Sequence, residues 1–345
     1  SDWSSDVCSS DLNNMKGFFA KMMLGTMLTT VCLTGSALAA TTETPAQNQE
    51  NQTAMVEQQK EAAPVRVYGN VVEKGENRLF IQNDQDTEPN QGVIIHISED
   101  TLILDATTGM PKSLADIAEN EMIYAYVGPA MTMSLPPQST AELILCDIPA
   151  DFAVPTYAEI ESVQKNQDGS ITVATNQDVN MTITEDTNLF PYLTKNIVTM
   201  DSLQPGAKIL AWYSIVMPSQ PAQANPTQVM VFPYEYQGYV SVQENAIQLN
   251  GVAVEGKPVL QNGRWMVPMR PIVEALGAEI TWNAQTAETA VVSQDITLYQ
   301  IKVGEDTYTK DGDIGYLCQP AKTINGTTYL DLTDLARLQN IKIAE

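Results

Sequence analysis

From residue 65 onward, apolar and polar positions alternate. Val67, Gly69 and Val71, then Leu79 and Ile81, flank the polar stretch Lys74-Gly75-Glu76-Asn77, which predicts a hairpin with one buried face. Ile160 to Val163 and Ile171 to Val173 repeat the device across Asn166-Gln167-Asp168-Gly169.

The recurrence extends further. Residues 92–101 align with 179–187, placing Thr101 and Thr187 86 residues apart. Ser113-Leu114-Ala115-Asp116 precedes the apolar run 122–127, and Ser202-Leu203-Gln204-Pro205-Gly206 precedes 208–213. Each copy then crosses a Met- and Pro-rich loop (131–138 and 217–226) and closes on an apolar strand (141–148 and 227–232). Leu143 and Val229 are again 86 residues apart. Anchors at one offset predict a duplication over 65–150 and 151–237, with Leu143 and Val229 both facing inward. Five strands with a small insertion before the fourth predict an OB-like small β-barrel in each copy, with a small open β-sandwich as the rival.

The pattern changes near residue 238. Asn250-Gly251 and Asn262-Gly263 are type I′ hairpin signals. Pro271 opens a helix whose apolar face is Ile272, Val273 and Leu276, and Gly277 closes it. Ile280 and Trp282 then alternate with Glu279 and Thr281 in a strand. The run from Asn262-Gly263-Arg264-Trp265 through Pro268-Met269-Arg270-Pro271 to Ile280-Thr281-Trp282 resembles the signature of the N-terminal, stalk-like domain of copper amine oxidases. The resemblance covers about 246–345. It implies a non-catalytic α+β domain of the kind that accompanies wall or surface modules in exported bacterial proteins. A second half-copy follows in Asn325-Gly326 to Ala336, with Asp331 and Thr333 where the pattern has Pro and Arg. The fold class expected is therefore mainly β with a C-terminal α+β domain: two tandem OB-like barrels, then a stalk-like domain over 238–345.

Ahead of the barrels, residues 40–64 are rich in Thr, Gln, Glu, Asn and Ala and predict a flexible linker. Lys16 and Lys21, the apolar stretch 22–36 and Ala37-Leu38-Ala39 read as a signal peptide over 15–39, cleaved after Ala39. Residues 1–14 read as a translated sequencing-adaptor artefact. Val31 before Cys32 is wrong for a lipobox.

Charge and chemistry narrow the role. Lys plus Arg number 18 against 42 Asp plus Glu, a net charge of −24, which repels phosphate backbones and anionic lipid. No nucleic-acid partner and no integral membrane segment after signal cleavage are therefore expected. Past residue 39 only Cys146 and Cys318 are left, too few for a disulfide scaffold, and both are expected to be buried thiols. A copper amine oxidase centre needs three histidine ligands, and His96 is the one histidine in the chain. No nucleophile elbow, zinc-protease helix, P-loop or dinucleotide fingerprint occurs, so no catalytic, cofactor or metal residue is assigned. Asp311-Gly312-Asp313 near Glu305 and Asp306 lacks EF-hand order and reads as a solvated turn, with calcium as the alternative. Candidate ligand contacts are the aromatics Tyr234, Tyr236, Tyr239 and Trp265, with Arg264 and Arg270. Arg270 has a competing use, pairing with Glu274 one helical turn away. The role expected is a secreted or wall-associated binding or spacer protein. Its partner would be cell-wall polysaccharide or another surface protein. The alternative is an extracellular hydrolase of wall polysaccharide working through Asp and Glu.

Overall fold

A computed structural model describes residues 62–83 and 91–344. The leader, the signal segment and most of the expected linker (1–61) lie outside the described residues.

The first six strands are β1 (Val65–Lys74), β2 (Arg78–Gln82), β3 (Val93–His96), β4 (Leu102–Asp105), β5 (Met122–Val127) and β6 (Gln138–Cys146). β1 is long because it serves two neighbours. A register shift between Val71 and Glu73 bends it, so that one half pairs with β2 and the other with β5. β6 pairs antiparallel with β5 and parallel with β3, and this closes a small barrel in the order β1-β2-β3-β6-β5. β4 lies parallel against the second half of β6. Val71, Leu79, Ile81, Ile95, Ile123, Ala125 and Ile144 fill the interior.

The next eight strands are β7 (Thr156–Lys165), β8 (Ile171–Thr175), β9 (Val179–Ile183), β10 (Asn188–Pro191), β11 (Lys208–Trp212), β12 (Val216–Met217), β13 (Ala222–Ala224) and β14 (Gln228–Val231). Their pairings follow those of β1 to β6, including a register shift in β7 between Ile160 and Ser162. The last strand differs. Where β6 is continuous, β13 takes the parallel pairing with β9, and β14 takes the pairings with β11 and β10. Pro226 stands in the break, and its missing N–H cannot continue a ladder.

The two sets of strands are joined face to face. Tyr124 and Tyr126 alternate along β5 with Ile123, Ala125 and Val127, so one set points outward while the other lines the barrel. With Leu104, Leu143 and Leu145 they meet Tyr157, Leu210, Trp212, Met230 and Phe232 in a fourth apolar core. Two polar tips cross this joint. Tyr157 N donates to Tyr126 Oη at 3.0 Å, and Trp212 Nε1 donates to Ala106 O at 2.8 Å. Tyr126 and Trp212 are 86 residues apart.

Leu143 and Val229 do not share a direction. Both are fully buried, but Leu143 belongs to the joint and Val229 to the interior of the second barrel. Tyr126 faces Leu143, whereas Trp212 faces Gln228, so the offset in the last strand is 85 rather than 86. A one-residue slip reverses every side chain of a strand.

The C-terminal strands are β15 (Tyr239–Gln243), β16 (Ala246–Leu249), β17 (Val252–Val254), β18 (Val259–Gln261) and β19 (Arg264–Pro268), followed by helix α1 (Met269–Ala275). A meander follows: β20 (Glu279–Asn283), β21 (Glu288–Ser293), β22 (Ile296–Lys302), β23 (Thr307–Lys310) and β24 (Asp313–Tyr316). Then come β25 (Lys322–Ile324), β26 (Thr327–Asp331), helix α2 (Leu332–Gln339) and β27 (Lys342–Ile343), which returns to pair with β15. The units β18-β19-α1 and β25-β26-α2 repeat at an offset of 63 residues and pair through β19 and β26. Both turns are Asn-Gly with positive φ at each residue, as type I′ requires. After α1 stands Gly277 at φ 84°, and after α2 stands Asn340 at φ 50°. Val267, Ile272, Val273, Tyr299, Ile301, Leu330 and Leu335 share one core.

Candidate functional site

The tyrosines near residue 236 lie where the second barrel meets the C-terminal domain. Tyr234 is half-buried, donates from Oη to Pro205 O at 2.8 Å, and meets Tyr236 edge-on at 5.8 Å. Burial pushes its phenol well up. Lys342 Nζ sits 5.7 Å from the Tyr236 ring and 2.6 Å from Glu159 Oε1, tying β27 to the second barrel. Gln237 N donates to Asn340 O at 2.8 Å, and Asn340 Nδ2 donates to Glu235 O at 3.0 Å. Tyr239 opens β15, half-buried. Trp265 is half-buried against the C-terminal core. Arg270 donates to Glu274 Oε1 at 2.9 Å, the pairing its spacing predicts, and to Ile280 O at 3.2 Å.

Arg264 has a partner that the sequence did not announce. Its Nε and Nη2 donate to the two oxygens of Asp331 at 2.6 and 3.0 Å, and Nη2 also reaches Thr333 Oγ1 at 3.1 Å. The residues that depart from the repeated pattern are thus the ones that receive Arg264. The Asp331 side chain is 1% exposed and also caps α2 by accepting from Thr333 N at 3.0 Å. Hydrogen bonding to Asp331 raises the Arg264 guanidinium.

Alongside lie Cys318 and Asp334. Among the described residues, Cys318, Asp331 and Asp334 are the group whose ligand-type atoms come within 4.8 Å of one another. The Asp311-Gly312-Asp313 turn forms no such group; it is the hairpin between β23 and β24. Asp334 accepts from Cys318 N at 2.7 Å and from Arg337 Nη2 at 3.0 Å. Both carboxylates are therefore neutralised by guanidinium groups, the use expected of an architectural pair. The Cys318 thiol is raised by partial burial and by Asp334. It is exposed, contrary to the expectation of two buried thiols, because it leaves the sheet just before Gln319 turns inward. Cys146 is buried as expected, and burial pushes its thiol up to about 12. His96 ends β3 half-buried, with Nε2 2.9 Å from Gln138 Oε1.

The first barrel carries an aromatic group missed at the sequence level. Tyr68 on β1 and Tyr124 on β5 are directly paired; their rings stack at 5.1 Å and 18°. The Arg66 guanidinium lies 4.6 Å from the Tyr124 ring centre. Arg66 and Tyr68 border a cleft of about 240 Å³ at the open edge of β1, also lined by Asn83, Gly92 and the inward-facing Val67, Ile81 and Val93. The alternation Val65-Arg66-Val67-Tyr68 was the available signal, since it puts Arg66 and Tyr68 on one outward face.

Comparison with protein families addresses the C-terminal third. Residues 248–344 match the family described as copper amine oxidase N-terminal domain, and this segment belongs to that domain family. A stretch of 91 residues is 32% identical to a protein named protease inhibitor from Brevibacillus choshinensis, covering 26% of this chain and 28% of that protein. The chain thus spans little more than a quarter of that relative's length. No solved structure matches the chain.

Proposed function

We propose that this chain is a non-catalytic, exported binding and spacer protein. In this reading two copies of one OB-like module present a surface to cell-wall polysaccharide or another surface protein, and the stalk-like domain sets its position. The shared pairings, the matching register shifts in β1 and β7, and the short capped turns at Ser113 and Thr199 support a duplicated module.

The observation that carries the non-catalytic reading is the use made of Asp331 and Asp334. These are the buried carboxylates brought closest together, and guanidinium and backbone donors occupy both. A glycosidase needs a protonated acid beside a free carboxylate. The hydrolase alternative has one candidate acid in Glu142, whose carboxyl is raised by burial. Its neighbour Glu159 is taken by Lys342. Tyr234, Tyr236, Tyr239, Trp265, Arg264 and Arg270 enter the binding reading as secondary contacts, because each also holds structure together.

The test is retention on insoluble wall polysaccharide while reducing ends are followed in the supernatant. Retention without release is expected. Release that disappears in Glu142→Gln would establish the hydrolase instead.

The relative's name favours a second reading, occupation of a protease. Edge strand β24, with Ile314 70% and Tyr316 75% exposed, is the segment such docking would use. Inhibition of a secreted protease that is lost on substituting Ile314 and Tyr316 with Ser would support it; unchanged protease activity removes it.

A further inference from the structure

We propose that the outer face of the first barrel is a binding site for a carboxylated sugar, formed by Arg66, Tyr68 and Tyr124. The proposal rests on the polysaccharide-binding reading above and names the subsite.

Charge singles out Arg66. All five arginines of the chain are among the described residues, and four of them meet a carboxylate: Arg78 with Glu73, Arg264 with Asp331, Arg270 with Glu274 and Arg337 with Asp334. Arg66 is exposed and meets none among the described residues, although the chain has 42 acidic side chains. Its cation lies 4.6 Å from the Tyr124 ring centre, and among the described residues no carboxylate takes its donors. A guanidinium binds a carboxylate through two parallel hydrogen bonds.

Shape supplies the second half of the argument. Tyr68 is 42% exposed although stacked on Tyr124, so part of a large aromatic side chain stays in water beside the cleft. An aromatic face pairs with the apolar C–H face of a pyranose ring. The cleft of about 240 Å³ equals roughly eight water volumes, which suits one sugar ring and not a folded partner. The platform is also held in place, because Tyr124 packs on the joint core and the half of β1 that carries Arg66 and Tyr68 is paired with β5.

The second barrel explains why the site occurs once. Tyr157 pairs with Leu210 at the place where Tyr68 pairs with Tyr124, but Tyr157 is buried in the joint against Tyr126 and Phe232. One face was used to join the barrels, and its counterpart stayed open.

Calorimetric titration of the full chain with trigalacturonate, maltotriose and triglutamate tests this. One equivalent of trigalacturonate per chain is expected, tighter than either control and weakened by salt. Tyr68→Ala should weaken it about tenfold. Arg66→Gln should abolish the preference over maltotriose. Both sites are exposed, so an unchanged circular dichroism spectrum is expected for each variant. Equal affinity for maltotriose or triglutamate, or variants within twofold of the parent, overturns the site. Absence of trigalacturonate binding in a chain still retained on wall polysaccharide removes this site alone. Absence of both removes the polysaccharide reading as well.

Discussion

The two barrels share their pairings and differ in what their outer faces do. In the first barrel, continuous β6 closes on β3, and the face around Arg66 and Tyr68 stays in solvent. In the second, the closing strand is broken at Pro226, and the equivalent face is consumed by the joint. A duplicated module can thus spend one surface on its own twin and keep the other for a ligand. Each way of disturbing the joint should affect both barrels, whereas disturbing either interior should affect one.

The largest effect is expected from Trp212→Ala, which empties a site 6% exposed and removes the hydrogen bond to Ala106 O. Chemical denaturation should show a loss of about 3–5 kcal/mol. Leu143→Ala should cost about 2–5 kcal/mol and couple with Trp212→Ala in a double-mutant cycle. Val229→Ala lies in the second barrel's interior, so it should add to a joint variant without coupling. Coupling of Val229 equal to that of Leu143 would contradict this register.

That register shows what the sequence revealed and what it hid. The hairpins were legible from period-two patterning, and the Asn-Gly turns from their residue types. The joint was written in the strands too. Residues 122–127, 141–146 and 208–212 are apolar at nearly every position, which signals burial on both faces. The same property concealed the slip, because moving such a strand by one residue still aligns apolar with apolar. The Arg264–Asp331 pair was hidden for another reason. Its members are 67 residues apart, and Asp331 looked like the loss of a proline. Only the β19–β26 pairing brings them together.

The C-terminal domain offers a control for the barrels. Arg264→Ala should cost about 2–3 kcal/mol, less than breaking a fully buried pair because Arg264 is 38% exposed. Asp331 would be left buried with fewer donors. The loss should appear in the unfolding of that domain and leave the barrels untouched.

The smallest effect concerns the thiols. Cys318 should react with a maleimide in the native chain, and Cys146 should react only on unfolding. Burial raises the Cys146 thiol from 9.0 to about 12, so the folded state holds this proton more tightly. Its contribution to stability is complete below the ordinary thiol value and is lost as pH rises toward about 12. Cys146→Ser should change this alkaline slope, whereas Cys318→Ser should change it less.

Differential scanning calorimetry of the full chain tests the shared joint most directly. Five buried side chains from the first barrel and five from the second meet in one cluster, so both barrels should unfold in a single transition. The C-terminal domain, tied on by Lys342, Asn340 and Gln237, should give its own. In Trp212→Ala the barrel transition should move down and split in two. Separate barrel transitions already present in the parent chain, at temperatures that Trp212→Ala leaves unchanged, would contradict the account.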